Sequence, residues 1–403
     1  MKLHRNIALG IIFGLERTLV EKHPATNVIK KLLKSNSSWG SRDRRYIAMA
    51  FYDIIRRKRF FHALSGFENQ DIDLWNLLGS WMVINDFTLP KWVEFNNLNI
   101  EEIKTKAPIL MQDRKYKNSI PDWLDKMAVE AFGLEVWEKE IVSLNTPSNL
   151  VVRVNTLKTS VKKLKDILEK KYNINTSTVP NTPHALIFQK NQSLQSIKEY
   201  REGWFEVQDV NSQKICPWLK PESSKYYIDA CAGAGGKSLH LADLTKDNAK
   251  IMALDIYPAK LDELRKRCYR NKIESVQTAN VDDDEILKII EPNADGVLID
   301  APCSGLGVLK RNPDTKWRMT PKRLTAILET QERILQTYAP MVKKGGYLVY
   351  ATCSILPQEN RLQIDQFLNS ALGSQFEFEK EHTYFSYLTG FDGFYCARLI
   401  KKM

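Results

Sequence analysis

The stretch Tyr226–Leu244 reads YYIDACAGAGGKSLHLADL and decides the fold of the second half of the chain. It predicts a short apolar strand ending in Asp229, a glycine-rich turn, and a helix over Ser238–Leu244. Glycines after a first strand let the backbone approach a ligand closely and turn sharply into the helix. Lys250–Leu254 predicts a second strand ending in Asp255, an acid placed to accept hydrogen bonds from ribose hydroxyls. Together these features predict the first βαβ unit of a domain that binds a nucleoside.

The spacing of the glycines argues against two familiar nucleotide-binding motifs. Gly233 and Gly235 match the first two glycines of a dinucleotide fingerprint, but Ser238 stands where the third is expected. Lys237 and Ser238 resemble the end of a P-loop, but the glycine that this loop needs further upstream is absent. A nucleoside ligand without a pyrophosphate, such as S-adenosylmethionine, fits better. A purely structural turn that holds no ligand remains an alternative.

Two cysteines follow two further predicted strands. Gly296–Asp300 is an apolar run that leads into Ala-Pro-Cys303, and Gly346–Ala351 leads into Thr-Cys353. Because ligands in open α/β sheets bind beyond the carboxyl ends of the strands, both thiols are expected near the glycine-rich turn. A single cysteine is more often an inert buried residue. Two at equivalent strand ends favour a catalytic role.

The chain of 403 residues is long enough for two to four domains. Its hydrophobic periodicity predicts an all-helical domain over residues 1–144, with Ile7, Ile11, Leu15 and Leu19 on one buried face. The pattern changes at a small α/β domain, residues 145–205. An α/β domain with a mostly parallel, Rossmann-like sheet covered by helices follows over residues 206–403.

Charge is concentrated at the N-terminus. The formal net charge is +11, and residues 1–60 carry 14 Lys and Arg against 4 Asp and Glu. Such an excess indicates a polyanionic partner, nucleic acid first, because phosphate contacts supply most non-specific affinity. A well-solvated helix surface is the alternative. The same charge favours a monomer that meets RNA directly.

Several classes of protein are not expected. The longest apolar stretch near the N-terminus, Ala8–Leu15, is too short to span a bilayer, and no signal cleavage site follows. We therefore expect a cytoplasmic protein without a membrane partner. No cysteine pair has the Cys-x-x-Cys spacing, so neither a metal site nor a disulfide framework is indicated. The cysteines are Cys216, Cys231, Cys268, Cys303, Cys353 and Cys396.

The three segments Asp229–Lys237, Asp300–Gly307 and Ala351–Asn360 resemble the motifs of the RNA (cytosine-5) methyltransferase family, in particular its bacterial 16S ribosomal-RNA branch. The similarity extends over about residues 145–403. The basic helical N-terminus resembles the NusB-type RNA-binding domain of some members. The cysteine pair is the specific signal, because the DNA cytosine-5 enzymes rely on the Pro-Cys cysteine alone.

The resemblance implies a role for each of three side chains. Cys353 would add to carbon 6 of cytosine, which makes carbon 5 able to attack a methyl group. Cys303 would assist breakdown of the covalent adduct, and Asp300 would bond the cytosine edge. A thiol with a pKa of ~8.5 is mostly protonated at neutral pH, so Cys353 needs activation. The family pattern suggests Lys237 and the cationic sulfonium of the cofactor as the nearby positive charge.

The resemblance also implies S-adenosyl-L-methionine as the cofactor, held by the glycine-rich turn and by polar residues at the following strand ends. Two positions depart from the family pattern: Ala234 replaces a proline, and Asn280 replaces an acid near the adenine, for which Asp282 or Asp283 are alternatives. The expected cofactor residues are Cys231, Ala232, Gly233, Ala234, Gly235, Gly236, Lys237, Asp255, Asn280 and Asp300.

A cluster of four residues follows the Pro-Cys loop and combines positive charges with a ring that can stack on a base: Arg311, Lys316, Trp317 and Arg318. This combination predicts RNA contacts. A cytosine must be unstacked to enter such a site, so a single-stranded or splayed loop is the expected target. For the cluster after the Pro-Cys loop, the alternative is an ordinary solvated loop. For Arg153 and Asn155, which are also expected to bind RNA, the alternative is a structural strand. The expected RNA-binding residues are Arg153, Asn155, Arg311, Lys316, Trp317 and Arg318.

The leading hypothesis is S-adenosylmethionine-dependent methylation of carbon 5 of a cytosine in RNA, 16S ribosomal RNA first. Transfer RNA is a second substrate found in the family, and no residue decides between them. A non-catalytic RNA-binding assembly factor on the same fold is the alternative from another class. The presence of Asp300, Cys303 and Cys353 argues against that alternative, since binding alone requires neither thiol.

Overall fold

The computed structural model describes residues 3–66, 71–190, 192–281 and 293–403. Within these ranges every helix is too short or too polar to cross a membrane. The α-helices, numbered along the chain, are α1 (Arg5–Leu15), α2 (Ala25–Ser35), α3 (Ser41–Arg56), α4 (Lys58–Leu64), α5 (Leu74–Ile84), α6 (Ile100–Leu110), α7 (Arg114–Lys117), α8 (Asp122–Phe132), α9 (Leu134–Leu144), α10 (Val161–Tyr172), α11 (Lys198–Arg201), α12 (Val210–Gln213), α13 (Ser238–Leu244), α14 (Pro258–Asn271), α15 (Thr315–Arg318), α16 (Pro321–Tyr338), α17 (Arg361–Leu368) and α18 (Ser386–Thr389).

The strands form two sheets. One has the order β2-β3-β1-β4 and is antiparallel, and the other has the order β10-β11-β9-β8-β5-β6-β7. In the second sheet β5 to β9 are parallel, and β11 and β10 are added antiparallel at the edge beyond β9. The strands are β1 (Leu150–Val154), β2 (Thr176–Val179), β3 (Thr182–Phe188), β4 (Phe205–Val207), β5 (Tyr226–Asp229), β6 (Lys250–Asp255), β7 (Val276–Asn280), β8 (Ala294–Asp300), β9 (Val342–Thr352), β10 (Phe376–Tyr384) and β11 (Phe394–Lys401).

The seven-stranded sheet confirms the predicted α/β, Rossmann-like fold. Strand β5 is buried along its whole length, as expected for a central parallel strand covered on both faces. The predicted strand at Gly296–Asp300 is β8 with two more residues at its start, and the one at Gly346–Ala351 is the second half of β9. The sheet therefore carries the glycine-rich turn and both cysteine segments at the carboxyl ends of its strands.

The chain divides into two compact units. The helical unit contains the described residues up to Pro147 together with Val308–Arg323, and the α/β unit contains Ser148–Gly307 and Leu324–Met403. The small α/β segment and the Rossmann-like sheet lie in one unit. The predicted domain boundaries at 144/145 and 205/206 stay a prediction.

In the helical unit, the predicted apolar face of the first helix is buried. At most 3% of the surface of each of its four residues is exposed to solvent: Ile7, Ile11, Leu15 and Leu19. These residues belong to one hydrophobic core with side chains from α2 to α6. The pattern at a spacing of three to four residues therefore predicted the core face correctly.

The segment 308–323 is bound into the helical unit by polar contacts. The Arg56 guanidinium donates to the carbonyl oxygens of Leu309 (3.2 Å) and Lys310 (2.9 Å). Helix α2 has no side-chain cap of its own, and its first amide, Ala25 N, donates to Asp314 Oδ2 at 3.2 Å. A carboxylate at this position satisfies an otherwise unpaired amide at the start of the helix.

In the α/β unit, the small antiparallel sheet is covered on one face by α10. Ser160 begins this helix by accepting a hydrogen bond from Lys163 N, and Leu164 and Leu168 pack on Val152 and neighbouring residues of the sheet. Two leucines one helical turn apart therefore hold α10 on the small sheet.

Candidate active site

The two cysteine segments meet at the carboxyl edge of the sheet. Strands β8 and β9 are parallel neighbours with Asp300 opposite Ala351. Cys303 follows three residues after Asp300, and Cys353 two residues after Ala351. Both side chains are half-buried, and their Sγ atoms lie 3.2 Å apart. Two sulfurs that are 50 residues apart in the chain thus share one small space.

The surroundings of Cys303 favour its protonated form. Its hydrogen bond with Cys353 raises the pKa of the Cys303 thiol, and burial and the charge of Glu359 raise it further. A thiol with a raised pKa keeps its proton at neutral pH. Cys303 can therefore donate its S–H to a neighbouring sulfur.

A buried ion pair lies at the same strand ends. Lys237 Nζ contacts Asp300 Oδ2 at 2.5 Å, and the lysine side chain is 8% exposed against 31% for the aspartate. Burial alone would lower the pKa of Lys237, but the charge of Asp300 outweighs it and raises that pKa. The ion pair holds the Lys237 ammonium on Asp300, and its expected effect on Cys353 stays a prediction.

The glycine-rich turn requires glycine for two different reasons. Gly233 and Gly235 have φ values of +55° and +82°, which side chains rarely adopt. A Cβ at Gly235 would lie 2.0 Å from Leu264 Cδ1, so this glycine allows close packing of α14. A Cβ at Gly233 or Gly236 would meet nothing within 4 Å. Above these two residues, therefore, the turn faces open space.

The missing proline of the turn has a structural substitute that the sequence alone did not indicate. Arg267 on α14 donates to the carbonyl oxygen of Ala234 at 2.6 Å and to Glu206 Oε2 at 2.9 Å. Glu206 is buried on β4, so the guanidinium is held between the turn and the small sheet. This contact fixes the backbone at Ala234 without a proline ring.

Asp255 lies at the end of β6 beside the turn. Its Oδ2 accepts from Gly233 N at 2.8 Å and its Oδ1 from Tyr257 N at 2.9 Å. Asn280, opposite Asp255 on β7, donates its amide to the carbonyl oxygen of Asp255 at 3.0 Å. Within the described ranges, its side-chain oxygen accepts no hydrogen bond and can serve as an acceptor. The alternative acids, Asp282 and Asp283, lie outside the described residues.

Below the turn, Asp229 is fully buried at the end of β5. Its Oδ2 accepts from Ser238 Oγ at 2.6 Å, while its Oδ1 has no hydrogen-bond partner among the described residues. Burial raises the pKa of Asp229 to about 7, and it also raises the pKa of Cys231 far above its usual range. One unpaired carboxylate oxygen therefore remains next to the turn.

A buried glutamate that the prediction did not single out links the two cysteine segments. Glu359 accepts hydrogen bonds from Ser304, the residue after Cys303, and from Ser354, the residue after Cys353. It lies inside the family-like segment Ala351–Asn360, so its place in that motif was the available signal.

Two of the predicted RNA-binding residues are structural. Arg153 on β1 is 2% exposed, and its Nε and one terminal nitrogen have no hydrogen-bond partner among the residues that the structure describes. Asn155 is also buried and donates to Gly203 O at 3.0 Å and to Asn271 Oδ1 at 3.1 Å. The assignment of both side chains to RNA was wrong, because packing within the α/β unit shields them from solvent.

In the cluster after the Pro-Cys loop, Lys316 and Trp317 make hydrogen bonds to other residues of the helical unit. Lys316 is fully buried and donates to Asn118 O and to Asn145 Oδ1, so its assignment to RNA was wrong as well. Trp317 is half-buried and donates its indole N–H to Ile55 O at 2.7 Å.

The remaining two cations of that cluster are half-buried. Arg318 Nε donates to Asp314 Oδ2 at 2.7 Å, and Arg311 lies at the N-terminal end of the cluster. For these two residues, RNA contact stays a prediction.

The arrangement offers no metal site within the described residues, where no group of three or more His, Cys, Asp or Glu could hold an ion. What it brings together is a thiol pair, a lysine–aspartate ion pair, an open glycine turn and an acid at the next strand end. These groups suit nucleophilic chemistry beside a bound nucleoside.

Comparison with known proteins gives two family matches. The family described as 16S rRNA methyltransferase RsmB/F matches residues 216–400, and a ferredoxin-like domain described as RsmF/B-like matches residues 120–195. The ferredoxin-like match begins in the helical region and extends over the first strands of the small sheet.

Curated relatives agree with these matches. The chain is 35% identical over 258 residues to a probable ribosomal RNA small subunit methyltransferase B of Synechocystis. The aligned region covers 62% of this chain and 56% of that protein. The chain is also 30% identical over 308 residues to ribosomal RNA small subunit methyltransferase B of Proteus mirabilis, covering 75% of this chain and 71% of that protein.

A solved structure supports the fold over the whole chain. The crystal structure of PH0851 superposes with a TM-score of 0.83 and covers all of both chains at 23% identity. At this identity the similarity establishes the architecture and no further property.

Proposed function

Because the chain belongs to the 16S rRNA methyltransferase RsmB/F family, we propose that it methylates carbon 5 of a cytosine in small-subunit ribosomal RNA through a covalent cysteine–cytosine adduct. The observation that carries the proposal is the 3.2 Å separation of the Cys303 and Cys353 sulfurs beside the Lys237–Asp300 ion pair. Neither binding of RNA nor stability of the fold requires two thiols at this place. The cytoplasmic location and the monomeric state remain expectations.

S-adenosylmethionine is the methyl donor of this family, and the residues present fit it. Within the part of the chain that the structure describes, Gly233 and Gly236 leave open space above the turn, and Asp229 Oδ1 has no hydrogen-bond partner, so it suits an ammonium group. The carboxylate of Asp255 and the amide of Asn280 suit the ribose and adenine. When bound, the donor supplies an electrophilic methyl group on a positively charged sulfur.

In this proposal Cys353 is the nucleophile. Its thiolate adds to carbon 6 of the cytosine, which breaks the aromaticity of the ring and makes carbon 5 nucleophilic. Once carbon 5 carries the methyl group, its proton passes to water, the electron pair of that C–H bond restores the double bond between carbon 5 and carbon 6, and the bond between carbon 6 and Cys353 breaks. The electron pair of that bond returns to the sulfur.

Cys303 would act in the breakdown of the adduct. Its pKa is raised, so it holds a proton that can be donated toward the leaving Cys353 sulfur 3.2 Å away. Hydrogen bonding to a developing thiolate lowers the barrier to its departure.

Asp300 would bond the cytosine edge at ring nitrogen 3 or at the exocyclic amine. Lys237 holds the Asp300 carboxylate in position through their ion pair. The same ammonium contributes positive charge close to the place where the adduct forms.

The test uses labelled S-adenosylmethionine and unmodified small-subunit ribosomal RNA. The wild-type protein should incorporate label, and bisulfite mapping should locate it at a cytosine. Cys353→Ala should abolish incorporation, whereas Cys303→Ala should accumulate an RNA adduct that resists denaturation. Methylation by Cys353→Ala would contradict the assigned roles.

Two controls separate the alternatives. Transfer RNA in the same assay tests the second substrate class of the family. Failure of the wild-type protein to label any RNA would favour a non-catalytic assembly factor. Cys268→Ala is a matched thiol control, because Cys268 is a buried cysteine on α14 that lies outside both cysteine segments.

A further inference from the structure

Glu359 is fully buried and lies between the two segments that carry the cysteines. Its Oε1 accepts from Ser304 N at 2.6 Å and its Oε2 from Ser304 Oγ at 2.6 Å. The same Oε2 accepts from Ser354 Oγ. Gln331 Nε2 on α16 donates to Oε1 at 3.3 Å and also to Pro302 O at 3.0 Å. One carboxylate therefore joins the residues that directly follow both thiols.

A carboxylate is needed for this set of contacts. An ionised carboxylate offers about four acceptor positions and no donor. Four donors point at Glu359, and no ion pair to it occurs among the described residues. The donors of the two loops thus compensate the buried charge, so both loops are held to one point.

We propose that Glu359 is a positioning residue that fixes the separation of the Cys303 and Cys353 sulfurs. The proposal rests on the proposed function, for which that separation is decisive. The two turns also meet directly, through Ser304 Oγ and Ser354 Oγ at 3.3 Å and through Gly307 N, which donates to Cys353 O at 2.9 Å. Asn360 bonds the Cys353 turn alone, through Thr352 Oγ1 at 2.6 Å and Ser354 O at 3.0 Å. Among the described residues, Glu359 is the charged group that accepts hydrogen bonds from both turns.

The charge of Glu359 has a second effect on the thiol pair. It is one of the causes that raise the pKa of Cys303, after the hydrogen bond to Cys353 and burial. Removing the charge should therefore lower the pH at which Cys303 loses its proton. Loss of that proton removes the donor that assists adduct breakdown.

The decisive variant is Glu359→Gln, which keeps the volume but cannot accept all four hydrogen bonds. We expect its kcat to fall about 100-fold, since a misplacement of about 1 Å between reacting groups has an effect of that size. The KM values for RNA and donor should stay within about threefold, because Glu359 faces the cysteine turns. The fraction of RNA in the covalent adduct should rise, as in Cys303→Ala.

The matched control is Glu332→Gln on α16, since Glu332 is exposed and one residue from Gln331. It should behave as the wild-type protein does. If Glu359→Gln does not fold, the double variant Ser304→Ala, Ser354→Ala removes two of the four hydrogen bonds to Glu359, together with the 3.3 Å contact between the two hydroxyl groups, and keeps the carboxylate. We expect that variant to lose about tenfold in kcat, in proportion to one or two hydrogen bonds.

A direct readout of the sulfur separation does not depend on methylation. Glutathione disulfide accepts two electrons from the thiol pair, forming the Cys303–Cys353 bond and releasing two molecules of glutathione. In Glu359→Gln the closing of this bond, followed by peptide mass spectrometry, should slow at least about tenfold, as a lower effective concentration implies.

The outcomes separate the two proposals. A wild-type protein that closes the disulfide rapidly but labels no RNA would defeat the proposed function and leave the positioning role in place. Wild-type kcat and closing rates in a folded Glu359→Gln would overturn the positioning role. The positioning role would also be overturned if kcat fell in Glu359→Gln while the amount of covalent RNA adduct and the rate of disulfide closing both stayed at their wild-type values.

Discussion

Two buried lysines, both in stretches that the sequence marked as functional, have opposite surroundings. Lys237 in the α/β unit contacts Asp300 at 2.5 Å, and the ion pair raises its pKa against the effect of burial. Among the described residues, Lys316 in the helical unit donates to the neutral oxygens of Asn118 and Asn145, and its Nζ lies 5.3 Å from the centre of the Trp317 ring. Burial lowers the pKa of Lys316 far below its usual range, and the charge of Arg56 lowers it further.

The comparison teaches that a buried cation indicates a reactive site only together with the group it faces. An ammonium taken out of water needs compensation, and a carboxylate supplies it in a way that can be used on a ligand. Neutral oxygens hold the ammonium in place without giving it a chemical task. Lys237 lies at a strand end, where partners from several strands converge, whereas Lys316 lies in a segment that packs among helices.

The largest expected effect is that of Asp300→Asn, which removes the charge opposite Lys237. We expect methyl transfer to fall about 100- to 1000-fold, the usual effect of losing one electrostatic contact at a reacting centre. The free energy of unfolding should fall by about 2 kcal/mol, because a buried ammonium loses its charged partner. Single-turnover labelling and urea unfolding measure the two quantities.

The exposed ion pair of Asp262 and Arg265 provides the control for that change. Asp262→Asn should leave activity and stability unchanged, as is usual for surface pairs. Combining Asp300→Asn with Lys237→Met should restore stability but not activity. If activity returned as well, the comparison between the two lysines would no longer hold.

A smaller effect is expected for Lys58, a third lysine, whose Nζ lies 4.4 Å from the centre of the Trp317 ring. Burial lowers its pKa to about 8, with a contribution from Lys22. Between pH 8 and 10.5 the unfolded chain therefore binds more protons at this position, so the stability contributed by Lys58 rises with pH. Over that window the gain is at most about 3 kcal/mol.

Lys58→Met should remove this rise. The measurement is the free energy of unfolding of both proteins at pH 7.5 and at pH 10, compared with the exposed control Lys34→Met. A wild-type protein whose stability relative to Lys58→Met does not increase with pH would show that Lys58 is well solvated. The contrast between paired and unpaired cations would then rest on Lys316 alone.

The smallest effect is expected for Lys316→Met. Because the side chain is fully buried, its removal should leave RNA affinity and the salt dependence of binding unchanged. A lysine that contacts a phosphate would instead reduce the slope of log affinity against log salt by about 1. Filter binding at several salt concentrations measures this slope, with the exposed Lys322→Met from the same region as the control. A reduced slope for Lys316→Met alone would break the comparison.

The sequence was informative where local pattern determines structure. The βαβ unit around the glycine-rich turn was predicted because apolar runs, glycines and strand-end acids are all visible within about 30 residues. The meeting of Cys303 with Cys353 was expected for a topological reason: parallel neighbouring strands end at the same edge. Their catalytic roles stay a prediction.

The sequence misled where burial depends on distant partners. Nothing near Lys316 in the chain shows that Asn118 and Asn145 enclose it, and nothing near Arg153 shows that packing within the α/β unit buries its side chain. Glu359 was missed for the opposite reason: its partners, Ser304 and Ser354, are revealed only when two turns are seen side by side. A charge pattern in the sequence shows which charged residues are present. It does not show which of them are exposed to solvent and can contact RNA or another ligand.

The path of the chain through residues 308–323 sets a limit on dissecting the protein by truncation. A fragment ending at Pro147 would lose the carboxylate that accepts from the first amide of α2, the carbonyl oxygens that bind Arg56, and the indole that donates to Ile55. Conversely, a fragment that starts at Ser148 would contain residues 308–323 without the helical residues that they contact. Clean separation therefore calls for a short replacement linker between Gly307 and Leu324 in the α/β fragment, with the excised residues grafted onto the helical one.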